Sequence, residues 1–219
     1  MLADKAFLES LLDYIGKKLK HEVDCLIIGG NAMLYYDLRG QTKDLDMVFF
    51  NKQDISAVIN IIKSHPIYRR IKQTKKLPYF IRPGLRKRGT PVFIGNDDVP
   101  RFDLFYRNVF SVDAGPIFKD SERSILFNLL NIRLPKPEFL IFLKAAADRP
   151  QDREDIARLV GNVHVDWEKF VHIAKEYYKE NKKAVWYCLG SLYDINKKED
   201  IIPERVLKRL ANLFDTNID

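Results

Sequence analysis

Cysteine is scarce in this chain, which has 219 residues but only two cysteines, Cys25 and Cys188. The two lie far apart and neither belongs to a Cys-x-x-Cys pair, so the sequence predicts neither a disulfide framework nor a zinc site. The four histidines are scattered, and none has a partner histidine four residues away. We therefore expect a reduced, cytoplasmic protein without a metal centre built from cysteine or histidine.

Long hydrophobic runs are also missing. No apolar stretch reaches the roughly 18–20 residues that a membrane span needs. The charged start of the sequence, from Met1 to Lys5, does not have the pattern of a signal peptide. The hydrophobic fraction of 46% is ordinary for a globular protein. We therefore expect a chain that buries a core of its own and does not associate with a membrane.

Basic residues outnumber acidic ones and give a formal net charge of +7. Such a balance is typical of proteins that bind nucleic acid or another polyanion. Charge that is spread evenly and serves solubility is the alternative. The placement of the basic residues along the chain therefore matters more than their number.

Helix and strand patterns divide the sequence into two parts. Residues 1–135 alternate amphipathic helical patterns with short apolar runs, whereas residues 136–219 carry helical patterns only. The sequence therefore predicts an α+β protein, in which a domain with a mixed β-sheet and flanking helices (1–135) precedes a helical domain (136–219). The predicted helices are Ala6–Lys20, Asn31–Leu38, Ile55–His65, Glu138–Ala147, Asp152–Val160, Asp166–Glu180, Ala184–Asn196 and Pro203–Phe214. The predicted strands are Asp24–Ile28, Leu45–Phe50, Tyr68–Lys72, Tyr79–Arg82, Pro91–Ile94 and Phe102–Tyr106.

A glycine pair followed by two carboxylates carries the clearest chemical signal. Gly29 and Gly30 end an apolar run, and they remove side chains where a backbone could approach phosphate. Asp44 and Asp46 follow, inside the next apolar run. Alternation along a strand directs both carboxylates to one face, with their positions roughly 7 Å apart. Hard oxygen ligands at such a separation can hold Mg²⁺ against a triphosphate, which indicates nucleotidyl transfer.

These residues, with those between them, resemble the active-site unit of the DNA polymerase β nucleotidyltransferase superfamily. The matching positions are Gly29-Gly30-Asn31-Ala32 and Arg39-x-x-Thr42-x-Asp44-x-Asp46. Within the superfamily they look most like the minimal nucleotidyltransferases of the abortive-infection type IV toxin group. The resemblance implies the nucleotidyltransferase fold, with Gly29, Gly30, Asn31, Arg39 and Thr42 at the bound nucleotide. Asn31 stands where many relatives carry serine.

The resemblance also implies a third carboxylate on a later strand. Asp103 is the best match, because it is an acid flanked by apolar residues and is costly to bury without a metal or a partner. Asp97 and Asp98 are poorer candidates, since their surroundings are typical of a turn. In such a site Asp44, Asp46 and Asp103 would be both the catalytic residues and the ligands of two Mg²⁺ ions, and Asp103 would help to activate the acceptor hydroxyl.

A second signature of the toxin-like group is similar to residues 137–159. It consists of a helix bearing a lysine, then an arginine, then aspartates before another apolar helix. The resemblance implies that Lys144 contacts the nucleotide phosphates and that Asp155 orients this lysine or its neighbours. The alternative is an ordinary amphipathic helix with a solvated lysine and with Asp152 as a helix cap.

A run of basic residues lies between the second and third predicted carboxylates. Residues 69–88 hold nine lysines and arginines and no acid, and aromatic residues are interleaved with them. Cations with aromatics can bind phosphates and stack on bases. A solvated hairpin whose lysines protect a sheet edge is the alternative. This segment is therefore a candidate contact for a triphosphate or for RNA.

The sequence thus predicts an enzyme that moves a nucleoside monophosphate from an NTP to an acceptor hydroxyl, with Mg²⁺ as cofactor. The resemblance implies an RNA acceptor, such as a tRNA 3′ end, and an antitoxin protein as partner. Small-molecule and protein acceptors remain open. A protein that keeps the fold but only binds nucleic acid or a partner is the alternative from another functional class. No residue pattern selects among ATP, CTP, GTP and UTP.

Overall fold

The computed structural model describes residues 1–71, 82, 89, 91–121 and 123–215. By compactness these residues form two units. The first contains the described residues up to Pro135 except Arg82, and the second contains Arg82 and the described residues from Lys136 onward. We describe each unit by itself.

The first unit is built on strands and four helices. Its helices are α1 (Lys5–Lys18), α2 (Gly29–Tyr35), α3 (Lys52–Ser64) and α4 (Gly115–Asp120). Its strands are β1 (Ala3–Asp4), β2 (Val23–Ile28), β3 (Gln41–Thr42), β4 (Asp44–Phe49), β5 (Val92–Ile94), β6 (Arg101–Tyr106), β7 (Asn108–Val109), β8 (Val112–Asp113), β9 (Arg123–Phe127) and β10 (Leu130–Leu134).

Six of these strands form a mixed sheet in the order β5-β6-β4-β2-β10-β9. The central strands β2 and β4 run antiparallel, while β6 lies parallel to β4 and β10 lies parallel to β2. The α+β class that the sequence predicts is therefore confirmed, with a mixed sheet at its centre. The pairs β1-β3 and β7-β8 form two small separate ladders.

One face of the six-stranded sheet packs on α1 and α3. Phe102 of β6 lies beside Leu11 and Ile15 of α1 and Ile62 of α3. Phe102 pairs in register with Leu45 of β4, so the two side chains share this apolar face. Residues one position away on β4 and β6 consequently point to the opposite face, and these are the charged ones.

The sequence predicts two strands between residues 68 and 82, and neither is found among the described residues. The strand predicted at Tyr68–Lys72 is wrong where the structure describes it, because residues 66–70 form turns and Tyr68 is buried from a turn. The strand predicted at Tyr79–Arg82 lies outside the described residues except for Arg82, which is not in a strand. The hairpin of β9 and β10 was not predicted from the sequence.

The second unit is helical over the part that the structure describes. Its helices are α5 (Pro137–Ala147), α6 (Pro150–Asn162), α7 (Trp167–Glu180), α8 (Lys182–Glu199) and α9 (Glu204–Ala211), followed by a 3₁₀ turn (Asn212–Phe214). Helix α5 is apolar on most sides and contacts α6, α7 and α8. It is therefore the central helix of this unit, and Lys144 lies on it.

Candidate active site

The two acidic strands place their carboxylates side by side. Asp46 of β4 pairs in register with Asp103 of β6, and Asp44 pairs with Arg101. Register partners on neighbouring strands point to the same face, as do residues two apart on one strand. Four charged residues therefore lie together on the face of the sheet opposite to α1 and α3, namely Asp44, Asp46, Arg101 and Asp103. We call this surface the acidic face.

The glycine pair lies at the same edge of the sheet, because Ile28, the last residue of β2, pairs with Asp46. Gly29 has a φ of +64°, and a Cβ built on it would lie 2.2 Å from Oδ2 of Asp46. Only glycine tolerates both the left-handed backbone and this approach. The Asp46 carboxylate is thus seated directly against the Gly29 backbone.

Gly30 allows a similarly close approach of two other residues of the predicted motif, Thr42 and Arg39. A Cβ on Gly30 would lie 2.6 Å from Oγ1 of Thr42 and 2.8 Å from Nη1 of Arg39. Thr42 is buried, and its hydroxyl donates a hydrogen bond of 3.3 Å to the carbonyl of Asp44. The structure therefore brings Arg39 and Thr42 together at the glycine pair, next to the strand that carries the acids.

Asn31 connects α2 to the acidic strand. Its side chain is buried, and the amide orientation that satisfies both of its atoms places the nitrogen 2.5 Å from the Asp44 carbonyl and the oxygen 2.9 Å from the Asp46 N–H. The amide thus makes the two hydrogen bonds that a residue of a neighbouring strand would make, and it holds the backbone between Asp44 and Asp46. This contact gives Asn31 a positioning role, which the sequence analysis did not foresee.

Arg101 is the site residue that the sequence analysis missed. Its guanidinium binds both oxygens of Asp103, with Nε 2.6 Å from Oδ1 and Nη2 3.1 Å from Oδ2. Nη2 also lies 2.9 Å from Oδ2 of Asp44. Asp103 is fully buried and Arg101 nearly so. The signal was available, because the alternation that relates Asp44 to Asp46 also relates Arg101 to Asp103.

The neighbourhood of Arg101 is well anchored. The Arg101 N–H donates to the Lys43 carbonyl, and the Tyr68 hydroxyl donates to the carbonyl of Pro100 over 2.7 Å. Burial raises the pKa of Tyr68, so its hydroxyl stays protonated and able to donate. The guanidinium also lies over the Phe93 ring, 5.6 Å from its centroid. The backbone at Arg101 is therefore held in place, and any movement of this residue falls to its side chain.

The donor set suits a hard divalent cation in its chemistry. Three carboxylates share one face, and one of them lies against a glycine that leaves room for it. In the part of the chain that the structure describes, no group of three or more histidine, cysteine, aspartate or glutamate side chains is placed to hold a metal ion. The roles of Asp44, Asp46 and Asp103 as metal ligands stay a prediction.

Lys144 and Asp155 form a separate cluster in the helical unit. The Lys144 ammonium lies 2.6 Å from Oδ2 of Asp155 and 3.5 Å from Oδ1 of Asp152, and all three side chains are buried. Asp152 also accepts from the Arg149 guanidinium and from the Arg149 backbone N–H. Asp152 therefore caps α6 from inside its first turn, while Arg149 is the cap residue itself. The part of Lys144 and Asp155 in nucleotide binding stays a prediction.

The charges around Asp152 determine its protonation. Burial by itself would raise the pKa of this carboxyl, but the hydrogen bonds and charge of Arg149, together with the charge of Lys144, outweigh burial. The net result is a pKa below the ordinary value of 3.8. Asp152 is therefore ionised at neutral pH.

The two cysteines are buried, Cys25 in β2 and Cys188 in α8. Burial raises the pKa of both thiols, and for Cys25 the charge of Asp24 adds to the effect. A thiol that stays protonated is a poor nucleophile and a poor metal ligand. Neither cysteine is therefore a candidate for the chemistry.

No protein-family model matches the sequence, and no curated protein matches it either. A function is consequently inferred from the geometry around Asp44, Asp46 and Asp103.

Most of the basic segment 69–88 lies outside the described residues. Arg69 and Arg70 at its start are exposed. Arg82 forms an ion pair with Asp148 and lies over the Tyr187 ring, 4.7 Å from its centroid. The predicted contact of this segment with a triphosphate or RNA stays a prediction.

Proposed function

We propose that the chain is a nucleotidyltransferase with the fold of the DNA polymerase β superfamily. The observation that carries the proposal is the register of β4 and β6, which sets Asp46 beside Asp103 with Asp44 on the same face. The close approach of the Asp46 carboxylate to the Gly29 backbone also supports the proposal. The motif residues of the first unit thus lie near one another at one edge of the sheet, and this arrangement supports the proposal.

The reaction moves a nucleoside monophosphate. An acceptor hydroxyl oxygen bonds to the α-phosphorus of an NTP, the bond from that phosphorus to the bridging oxygen breaks, and pyrophosphate leaves. Asp44, Asp46 and Asp103 would hold Mg²⁺, which when bound stabilises the charge on the attacking and leaving oxygens. Asp103 is the candidate to accept the proton of the attacking hydroxyl.

The residues around the glycine pair would bind the triphosphate. Gly29 and Gly30 leave the backbone open to a phosphate oxygen. Arg39 and Thr42 lie at Gly30, and both carry donors that suit phosphate. Asn31 would act on the reaction indirectly, by holding the backbone between Asp44 and Asp46.

Lys144 is proposed as a phosphate contact on the strength of the resemblance alone. Its ammonium has three N–H donors, but it is buried and pairs with both Asp155 and Asp152, so a phosphate contact requires that the ammonium become accessible. Asp155 would then orient the lysine, as the 2.6 Å contact suggests.

RNA is the acceptor that the charge distribution favours. Residues 136–219 contain fifteen basic and fifteen acidic residues, so the whole net charge of +7 belongs to residues 1–135. The proposed catalytic acids lie in this basic part of the chain. A polyanionic acceptor would be attracted to it in a salt-dependent way. An antitoxin partner stays a proposal that follows from the resemblance.

A second candidate function is a non-catalytic protein that retains the fold and binds nucleic acid or a partner. The ion pairs of Arg101 favour it, because they compensate Asp44 and Asp103 without any metal. The two candidates differ in whether Asp46 is needed for a chemical step.

To test the proposal, the purified protein is incubated with each of the four α-labelled NTPs, Mg²⁺ and total RNA. We expect label in RNA for the wild type and at least a hundredfold less, an order-of-magnitude figure, for Asp46→Asn. Asp24→Asn is the matched control, because Asp24 is exposed on the neighbouring strand β2 and bonds to Asn131.

A parallel reaction without RNA detects transfer to the protein itself, and small hydroxyl compounds test the remaining acceptor class. Labelling that is equal in Asp46→Asn would contradict the mechanism. No labelling of any acceptor with any NTP would favour the non-catalytic candidate.

A further inference from the structure

Arg101 forms ion pairs with two of the carboxylates on the acidic face. Its guanidinium binds Asp103 in a bidentate manner, at 2.6 Å and 3.1 Å, and reaches Asp44 at 2.9 Å. Such paired N–H···O contacts between ions are short and strong. The side chain therefore joins the first acid of β4 to the acid of β6.

Because Asp103 is buried, its ion pair with Arg101 matters for stability. Asp103 has no exposed surface, and a buried carboxylate without a compensating cation is strongly unfavourable. The Arg101 guanidinium supplies that compensation from the same strand, two residues away. The acidic face is thus stable as a protein-only structure, with its own cation between two of its carboxylates.

A divalent cation on the same carboxylates would compete with the Arg101 guanidinium, which engages three of their four oxygens. Oδ2 of Asp44 and both oxygens of Asp103 accept from the guanidinium. Two cations cannot share these oxygens without repulsion. The Arg101 backbone is held by the Lys43 carbonyl and by the β6 pairing, so only its side chain can leave.

We propose that Arg101 is a built-in competitor of the divalent cation, so that metal binding at Asp44 and Asp103 requires displacement of its guanidinium. This inference rests on the proposed function, in that it takes these carboxylates as the metal ligands. Arg101 is then a positioning residue. Its guanidinium keeps the carboxylates of Asp44 and Asp103 from binding a metal ion until a divalent cation displaces it. The site then exists in an arginine-paired state and a cation-bound state.

The test measures Mn²⁺ binding to the full chain by titration calorimetry, with electron paramagnetic resonance of free Mn²⁺ as a second measurement. Removing the competitor in Arg101→Gln should tighten Mn²⁺ binding by about ten- to a hundredfold, since charged hydrogen bonds of this kind need no longer be broken. Arg101→Lys keeps a cation that cannot bind both acids in a fork, so an intermediate affinity is expected.

Arg133→Gln is the matched control. Arg133 lies on β10 of the same sheet and forms an ion pair with Asp24 at 3.4 Å. Its substitution by glutamine removes the same charge as Arg101→Gln. Its Mn²⁺ affinity should equal that of the wild type. An equal gain in Arg133→Gln would mean that net charge, not the Arg101 contact, sets the affinity, and would overturn the proposal.

Unchanged affinity in Arg101→Gln, with a circular dichroism spectrum like that of the wild type, would also overturn it. If Arg101→Gln does not fold, Arg101→Lys decides by the same criterion. Failure of every variant to bind Mn²⁺ would overturn it as well. The Mn²⁺ measurement uses no nucleotide, so tighter binding without any nucleotide transfer would support the competition and reject the proposed function.

Discussion

Gly29 is the residue of the acidic site whose backbone lies directly against the Asp46 carboxylate. Its φ of +64° and the 2.2 Å between an added Cβ and Oδ2 of Asp46 leave no room for a side chain. A methyl group there must displace either the backbone or the carboxylate. The consequence is that stability and the position of Asp46 depend on the same glycine.

We predict that Gly29→Ala lowers the free energy of unfolding by about 1–3 kcal/mol, because it adds backbone strain and a clash. Gly190→Ala is the control: Gly190 lies in α8, and an added Cβ would meet open space. That substitution should raise stability by about 0.5–1 kcal/mol, as alanine is the better helix former. Urea unfolding of both variants checks the pair, and equal effects at the two glycines would contradict the account.

Several site residues could be predicted individually from the sequence, while their contacts could not. The order of glycines, Arg39, Thr42 and the aspartates is visible in the sequence, and alternation puts Asp44 and Asp46 on one face. The ion pair of Arg101 with Asp103 lies within β6, whereas its ion pair with Asp44 depends on the register between β4 and β6, which are more than fifty residues apart. Such long-range pairing leaves no local pattern in the sequence.

At the level of whole elements, the apolar helices and buried strands were the predictable part. The predicted helix Glu138–Ala147 lies within α5, and the predicted strand Asp24–Ile28 lies within β2. Both have long apolar patterns whose period is clear. Hydrophobic periodicity therefore indicated where the main elements of each unit lie.

The hairpin of β9 and β10 was missed because its turn signal is weak. Phe127 pairs with Leu130, so Asn128 and Leu129 form a two-residue turn, and Asn128 has a φ of +52°. Asparagine tolerates this left-handed conformation, but without a following glycine the usual hairpin signature is incomplete. The alternation of apolar and polar residues along Leu130–Leu134 was the remaining sequence signal for this strand.

The junction of α5 and α6 should show a specific pH dependence. The pKa of Asp152 is held below its ordinary value of 3.8. Its contribution to stability is therefore complete above the unfolded pKa and is lost as the pH falls through the folded pKa. Asp152→Asn should lower the free energy of unfolding by about 1–3 kcal/mol at pH 7, and the difference from the wild type should shrink as the pH falls toward 3.

Tryptophan fluorescence during urea unfolding measures this effect, because both tryptophans, Trp167 and Trp186, lie in the helical unit. Glu180→Gln is the control, since Glu180 is exposed at the end of α7. It should change the stability little at either pH. A difference for Asp152→Asn that grows in acid would contradict the assigned direction of the pKa.

For the molecule as a whole, the net charge is divided unevenly between residues 1–135 and residues 136–219. Residues 1–135 carry the net charge and the acidic site, and the helical unit carries the Lys144 network. In the described part of the chain, no helix has both the length and the apolar character to cross a membrane. The proposed chemistry is accordingly assigned to the first unit, and the proposed phosphate contact to the second.

The proposed reaction breaks one particular bond of the NTP, and the position of the label reveals which one. The decisive measurement compares transfer from an NTP labelled at the α-phosphate with transfer from the same NTP labelled at the γ-phosphate. Nucleotidyl transfer predicts that the acceptor gains the α label, that the γ label appears in pyrophosphate, and that Asp46→Asn abolishes both. Gain of the γ label by the acceptor, or α labelling that survives in Asp46→Asn, would contradict the account.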